Sequence, residues 1–218
     1  ASKKSGLKSE KAAKFMSADL KVNKLIEQLP FKLTNAQLKA YSEIKKDLES
    51  GKPMNRLVQG DVGSGKTLVS FLAAIKAFEC GYQSCLMAPT EILAEQHFRN
   101  AEKQLNILGV KVGLLTGKTK TKERNLLLEK LQSSELHFLI GTHALIEDWV
   151  QFQNLGLVIV DEQHRFGVAQ RGLLKNKGLS VHFLIMTATP IPRTLAMTVY
   201  GDLDVSIIDE MPVGRLPI

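Results

Sequence analysis

Eight residues constrain this chain more than any others: Gly60-Asp61-Val62-Gly63-Ser64-Gly65-Lys66-Thr67. They fit G-x-x-x-x-G-K-[ST], a loop that cradles phosphate when it joins a strand to a helix. The flanks supply both elements. Arg56 to Gln59 reads as a short strand, and Leu68 to Phe78 reads as a buried helix. The glycines let the backbone wrap with positive φ and aim its N–H groups at phosphate oxygens. The helix N-terminus adds partial positive charge. Lys66 is then the cation for the β/γ-phosphates, and the Thr67 hydroxyl is a ligand for Mg²⁺. An ordinary Gly/Ser turn with a solvated lysine does not require this flanking pattern.

Strand and helix patterns alternate beyond the loop. Candidate strands are 56–59, 84–88, 111–115, 137–141, 157–160, 181–186 and 205–208. Runs such as Leu157-Val158-Ile159-Val160 are apolar without alternation, as in parallel strands buried on both faces. Candidate helices are 65–79, 91–107, 120–132, 164–176 and 191–199. The order predicts an α/β fold: a mostly parallel sheet flanked by helices on both faces, with ligands at the carboxyl ends of the strands. Before it, Thr34 reads as the N-cap of a helix from Asn35 to about Ser50, followed by Gly51. An N-terminal helical extension is expected over 12–29, where Phe15, Met16, Leu20, Leu25, Ile26 and Leu29 have helical spacing and Pro30 ends it.

A second signal stands about 95 residues after the loop, where the strand 157–160 runs into Asp161-Glu162-Gln163-His164. Asp161 suits Mg²⁺ held through water, and Glu162 suits orienting or deprotonating an attacking water. Asp161 could equally cap the next helix. Together with the loop, the acids predict a Mg²⁺-ATP site.

Composition narrows the setting. Hydrophobic residues form 44% and charged residues 23%, enough for a sizeable core. No apolar run approaches the ~18 residues of a membrane span, and no secretory pattern opens the chain. Cys80 and Cys85 have no metal-ligand companions, which favours free thiols and a cytoplasmic setting over a disulfide. The net charge is +7, but +4 of it lies in residues 1–30, so charge alone does not establish a nucleic-acid partner.

These residues together resemble the first RecA-like motor domain of superfamily 2 helicases, and within it the RecG branch. Phe31-Lys-Leu-Thr-Asn-Ala-Gln37 is similar to the adenine-reading segment of that superfamily. The resemblance implies that Phe31 packs near adenine and Gln37 bonds its edge. Ala88-Pro89-Thr90 through His97 is similar to motif Ia, and Thr116-Gly117 and Thr142-His143 to the contacts that follow it. The resemblance makes Pro89, Thr90, Thr116, Gly117, Thr142 and His143 contacts to a nucleic-acid backbone. Lys118, Lys120, Lys122 and Arg124 add a charge run beside them, as readily a solvated helix start as a phosphate contact. Thr187-Ala-Thr189-Pro is similar to motif III, which implies that Thr187 and Thr189 couple nucleotide state to the track by exchanging partners with Asp161 or His164.

Asp161 to Val168, Gln170-Arg171, Thr187 to Thr194 and Tyr200 to Ile208 resemble the RecG branch in particular. The transcription-repair coupling translocase shares much of this but usually has Glu at the place of Gln163. The implied organisation is a tail and connecting helix in 1–30, a RecA-like ATP-binding domain in 31–210, and the start of a linker in 211–218. The implied partners are a second RecA-like domain, an upstream wedge domain and branched double-stranded DNA such as replication forks and Holliday junctions. No second motor lobe and no arginine finger in its usual context are seen, so the chain reads as part of an active site. A nucleotide-binding module without motor activity stays open. A small-molecule P-loop kinase is disfavoured by the pairing of the acids with Thr187-Ala-Thr-Pro.

Overall fold

The apolar runs become the inner strands of a seven-stranded sheet. A computed structural model describes residues 11–161, 168–190, 192, 194–195, 198 and 203–211. Its strands are Asn55–Gly60 (β1), Gln83–Met87 (β2), Val112–Leu115 (β3), Phe138–Gly141 (β4), Leu155–Asp161 (β5), His182–Thr187 (β6) and Asp204–Ile208 (β7). Its helices are Leu20–Gln28 (α1), Asn35–Glu49 (α2), Lys66–Glu79 (α3), Glu91–Leu105 (α4), Thr121–Gln132 (α5) and Val168–Lys175 (α6). Single 3₁₀ turns lie at Asn106–Leu108 and His143–Ile146. The strand order is β3-β4-β2-β5-β6-β1-β7, and every pairing is parallel.

Alternate residues of the strands feed two cores. Val58, Leu86, Ile140, Ile159 and Leu184 point to one side, where Leu25 of α1, Ile44 of α2, Phe71 of α3 and Ala94 of α4 meet them. Leu57, Cys85, Leu139, Val158 and Phe183 point to the other, against Leu131 of α5 and Leu174 of α6. Helices cover both faces, so the strands read as continuous apolar runs. The helix α3 is buried from Leu68 to Ala77, since it lies under α2 and α1 as well as on the sheet.

One expectation fails. The segment 12–29 is helical only from Leu20. Phe15 is fully buried, whereas Met16 and Leu20 are exposed, so their spacing does not define one helical face. The backbone of the preceding stretch bonds elsewhere: the Ala12 N–H donates to Gly51 O at 3.0 Å and that of Phe15 to Leu48 O at 2.8 Å. Asp19 then takes a left-handed φ of 55°, and the helix begins after it. The Phe15 ring stacks on Tyr82 with centroids 4.9 Å apart and meets His182 edge-on at 4.8 Å.

A buried polar clamp holds this segment to α3. Lys76, fully buried near the end of α3, donates to Asp19 at 2.7 Å and lies 3.4 Å from Glu49. Lys45 and the Tyr41 hydroxyl reach the other Asp19 oxygen at 3.0 and 3.1 Å. Burial opposes ionisation of Asp19, but hydrogen bonds from Lys76 and Lys45 outweigh it and hold the carboxyl below its usual range. Arg56 likewise ties β1 to Asp47 of α2 at 2.7 Å and to Ser206 of β7 at 3.0 Å.

The expected helix 164–176 is described from Val168 onward, and most of 191–199 lies outside the described residues. Cys80 and Cys85 are both free, and burial raises the Cys85 thiol to about 12. Among the described residues, no helix is long and apolar enough to cross a membrane.

Candidate functional site

Strand order concentrates the candidate residues. β6 lies between β1 and β5, so the loop after β1, Asp161 at the end of β5 and Thr187 at the end of β6 share one sheet edge. The register is explicit: Gln59 pairs with Thr187, and Asp161 pairs with Met186. Three stretches far apart in sequence thereby reach the same level.

The loop has the backbone that the motif requires. Gly63 and Gly65 have φ of 84° and 89°, and Lys66 opens α3 directly after them. At Gly65 a Cβ would lie 1.9 Å from Gln37 Nε2, so both conformation and space call for glycine. Asp61 and Val62 are exposed at the loop tip, and Ser64 is buried beneath it. The Lys66 ammonium donates to the Gly60 and Asp61 carbonyls at 2.5 and 3.0 Å. Burial lowers its pKa, while the charges of Asp161 and Asp61 act to raise it. A half-buried cation beside the first turn of a helix suits phosphate oxygens.

Asp161 Oδ2 meets His97 Nε2 of α4 at 2.6 Å. The candidates for a cation are hard oxygen donors, the Thr67 hydroxyl and the Asp161 carboxylate. Among the described residues no group of three or more His, Cys, Asp and Glu forms a dedicated cage. That donor set fits Mg²⁺, which is held by few protein oxygens together with water and phosphate. Glu162 and His164 lie outside the described residues.

The adenine-side pair has two different surroundings. Phe31, 38% exposed, lines a groove with Ile26, Leu29, Leu33 and Leu38. Gln37 is fully buried, and its amide serves as a strut. Its Oε1 accepts from the Thr34 N–H at 2.9 Å, closing a capping box on α2, and its Nε2 donates to Ser64 O at 3.1 Å. Here Gln37 bonds the phosphate loop itself, where the resemblance implies a contact to adenine.

Most of the candidate nucleic-acid contacts do gather. Thr116, Gly117, Thr142 and His143 follow the paired strands β3 and β4 and line one concavity of about 350 Å³ with Glu91, Arg124 and Trp149. Thr90 stands one residue before Glu91 and caps α4, its Oγ1 accepting from the Leu93 N–H at 3.2 Å. Pro89 precedes it, half-buried. The Thr116 hydroxyl accepts from the Lys118 N–H at 3.2 Å, inside its own turn. Arg124 lies over the Trp149 ring at 5.0 Å. Of the charge run, Lys118 pairs with Glu91 at 3.2 Å.

Thr187 and Thr189 bond each other: the Thr189 N–H donates to Thr187 Oγ1 at 3.2 Å, and that hydroxyl lies 3.4 Å from Thr189 O. Thr187 is buried and Thr189 exposed. The reading from residues alone gave no role to His97, Glu91 or Trp149. His97 stood inside the stretch similar to motif Ia, but only the packing of α4 on the sheet brings it to Asp161.

A parallel α/β sheet with a phosphate loop on one strand and an acid at the end of its neighbour's neighbour defines a RecA-like nucleotide-binding domain. The family model for DEAD/DEAH box helicases matches residues 34–198, and the chain belongs to that family. Within it, the similar proteins include RecG helicases. The chain is 54% identical over 215 residues to the ATP-dependent DNA helicase RecG of Aquifex aeolicus, covering 98% of this chain and 27% of that protein. It is 56% identical over 200 residues to RecG of Escherichia coli K12, covering 90% and 29%. A solved structure of RecG bound to a three-way DNA junction superposes with a TM-score of 0.80 at 47% identity, over 96% of this chain and 28% of that one. The DNA-bound helicase MrfA, 18% identical with a TM-score of 0.68, shares the fold. The chain thus spans under a third of the length of these RecG relatives.

Proposed function

We propose that this chain is the ATP-binding lobe of an ATP-driven DNA translocase that remodels branched DNA, including replication forks and Holliday junctions, in recombination and repair. The observation that carries this reading is the shared edge of β1, β6 and β5, where Gly60–Thr67, Thr187 and Asp161 stand at one level. Residues 31–210 are the ATP-binding unit in this reading, and residues 1–30 connect it to an upstream wedge domain.

Each residue then has a physical task. The Gly63–Thr67 amides and the Lys66 ammonium bind the β/γ-phosphates, and Lys66 exchanges its loop carbonyls for phosphate oxygens. Thr67 and Asp161 would hold Mg²⁺, whose charge offsets that developing on the phosphate oxygens. Glu162 orients or deprotonates the attacking water, and His164 exchanges partners with Thr187 and Thr189. Phe31 packs near adenine, and Gln37 braces the loop that meets the phosphates. Pro89, Thr90, Thr116, Gly117, Thr142 and His143 follow a phosphodiester backbone without reading bases. Thr187 and Thr189 relay the nucleotide state to that track. A second RecA-like domain closes the cleft and supplies an arginine, and two free thiols accord with a cytoplasmic setting.

The test is ATP hydrolysis by the full-length protein with and without forked DNA, beside Lys66→Ala. Fork-stimulated hydrolysis that Lys66→Ala removes supports the reading. Hydrolysis indifferent to DNA would leave a nucleotide-binding module and sink the motor assignment.

A further inference from the structure

Asp161 has one close protein partner on α4, and the nucleotide chemistry above assigns that partner nothing. His97 is 7% exposed, and its Nε2 lies 2.6 Å from Asp161 Oδ2. An ionised carboxylate only accepts hydrogen bonds, so Nε2 is the nitrogen that carries the proton. The bond engages one carboxylate oxygen and restrains how the carboxylate can turn. It also joins two elements distant in sequence, since His97 stands 64 residues before Asp161. α4 is a single 15-residue helix whose N-terminus is capped by Thr90, beside the concavity that contains Thr116 and Thr142.

We propose that His97 is a positioning residue for the nucleotide site: its Nε2–H orients the Asp161 carboxylate for a hydrated divalent cation. The proposal rests on the assignment of Lys66 and Asp161 to a Mg²⁺-nucleotide site. It adds a residue that touches neither nucleotide nor metal. Ligand carboxylates that lose such a partner keep their charge but lose their fixed orientation, and affinity for the cation falls. The same bond makes the carboxylate's orientation depend on where α4 sits.

The test is equilibrium binding of a fluorescent, non-hydrolysable ATP analogue to the full-length protein, with Mg²⁺ varied at fixed analogue. His97→Ala should raise the half-saturating Mg²⁺ about tenfold while binding without Mg²⁺ changes by less than about twofold. His97→Gln, whose amide N–H reaches a place similar to Nε2, should recover most of the shift. An unchanged Mg²⁺ midpoint in His97→Ala overturns the proposal. A lowered Tm with an unchanged midpoint overturns it too, since the residue would then only pack. Lys66→Ala separates the levels. If it binds the analogue like the parent protein, the site assignment fails and the proposal falls with it. If it loses the analogue while the His97→Ala midpoint is unchanged, the site stands and only the proposal fails.

Discussion

Two single residues outside the nucleotide site report on how this fold is held together. His182 Nδ1 accepts from the Met54 N–H at 2.9 Å, and its Nε2 faces Ala13 O at 2.8 Å, so the ring must be neutral with its proton on Nε2. Burial lowers its pKa below the ordinary 6.5, against the opposing effects of Ala13 O and Asp47. The unfolded chain therefore takes up this proton first as pH falls. The stability that His182 contributes is complete above about pH 6.5 and is lost as pH falls toward the lowered folded value. Thermal unfolding at pH 7.5 and 5.5 should show a drop in Tm that is smaller in His182→Gln. An equal drop in both would assign the slope to other groups, such as His137, whose pKa burial also lowers. Asp19→Ala should destabilise the domain by roughly 3 kcal/mol in urea unfolding, because buried Lys76 loses its 2.7 Å carboxylate partner and keeps Glu49 only at 3.4 Å. Neither role was legible in the sequence. Asp19 had no reading there, and His182 fell only within the candidate strand 181–186. By contrast the places of Lys66 and Thr67 at the start of α3 and of Asp161 at the end of β5 were legible, because their neighbours in sequence set the local backbone.

Strands were the most legible elements. Each of the seven lies within two residues of its candidate range, and for inner strands such as β5 and β6 the reason is burial on both faces, which needs apolar side chains at nearly every position. The stretch before α1 was misread, since apolar spacing carries no information about competing backbone bonds to Gly51 and Leu48. Two elements offer sharp tests. The turn into α3 admits no side chain at Gly65, where φ is 89° and Gln37 Nε2 fills the Cβ position. Gly65→Ala should weaken nucleotide binding by more than about tenfold, for a displaced phosphate loop loses several amide contacts together. Unchanged affinity would mean that Gln37 can retreat freely. The N-terminus of α4 separates capping from binding. Thr90→Asp keeps an N-cap acceptor and suits the helix dipole, so Tm should hold within a few degrees. The added negative charge should nevertheless weaken fork binding by about tenfold if a DNA phosphate lies there. Binding unaffected by Thr90→Asp would move the track away from α4.

At the scale of the whole molecule, the similarity to RecG proteins covers nearly all of this chain but under a third of those relatives. An arginine supplied across the cleft contributes about 10³–10⁵ to phosphoryl transfer in P-loop enzymes. The 218-residue chain alone should therefore hydrolyse ATP at least about a thousandfold more slowly than the full-length protein on forked DNA. Comparable rates would place the complete machinery within this lobe. Local pattern determined the class of fold and the glycine-rich strand-to-helix loop, since each depends on residues adjacent in the chain. It also carried the resemblance to a helicase lobe. Only the tertiary structure decided that Gln37 braces the loop, that Asp19 and Lys76 clamp the N-terminal segment to α3, and that His97 meets Asp161. Those contacts join positions separated by 27, 57 and 64 residues. Their partners are chosen by strand order and helix packing, which no window along the chain contains.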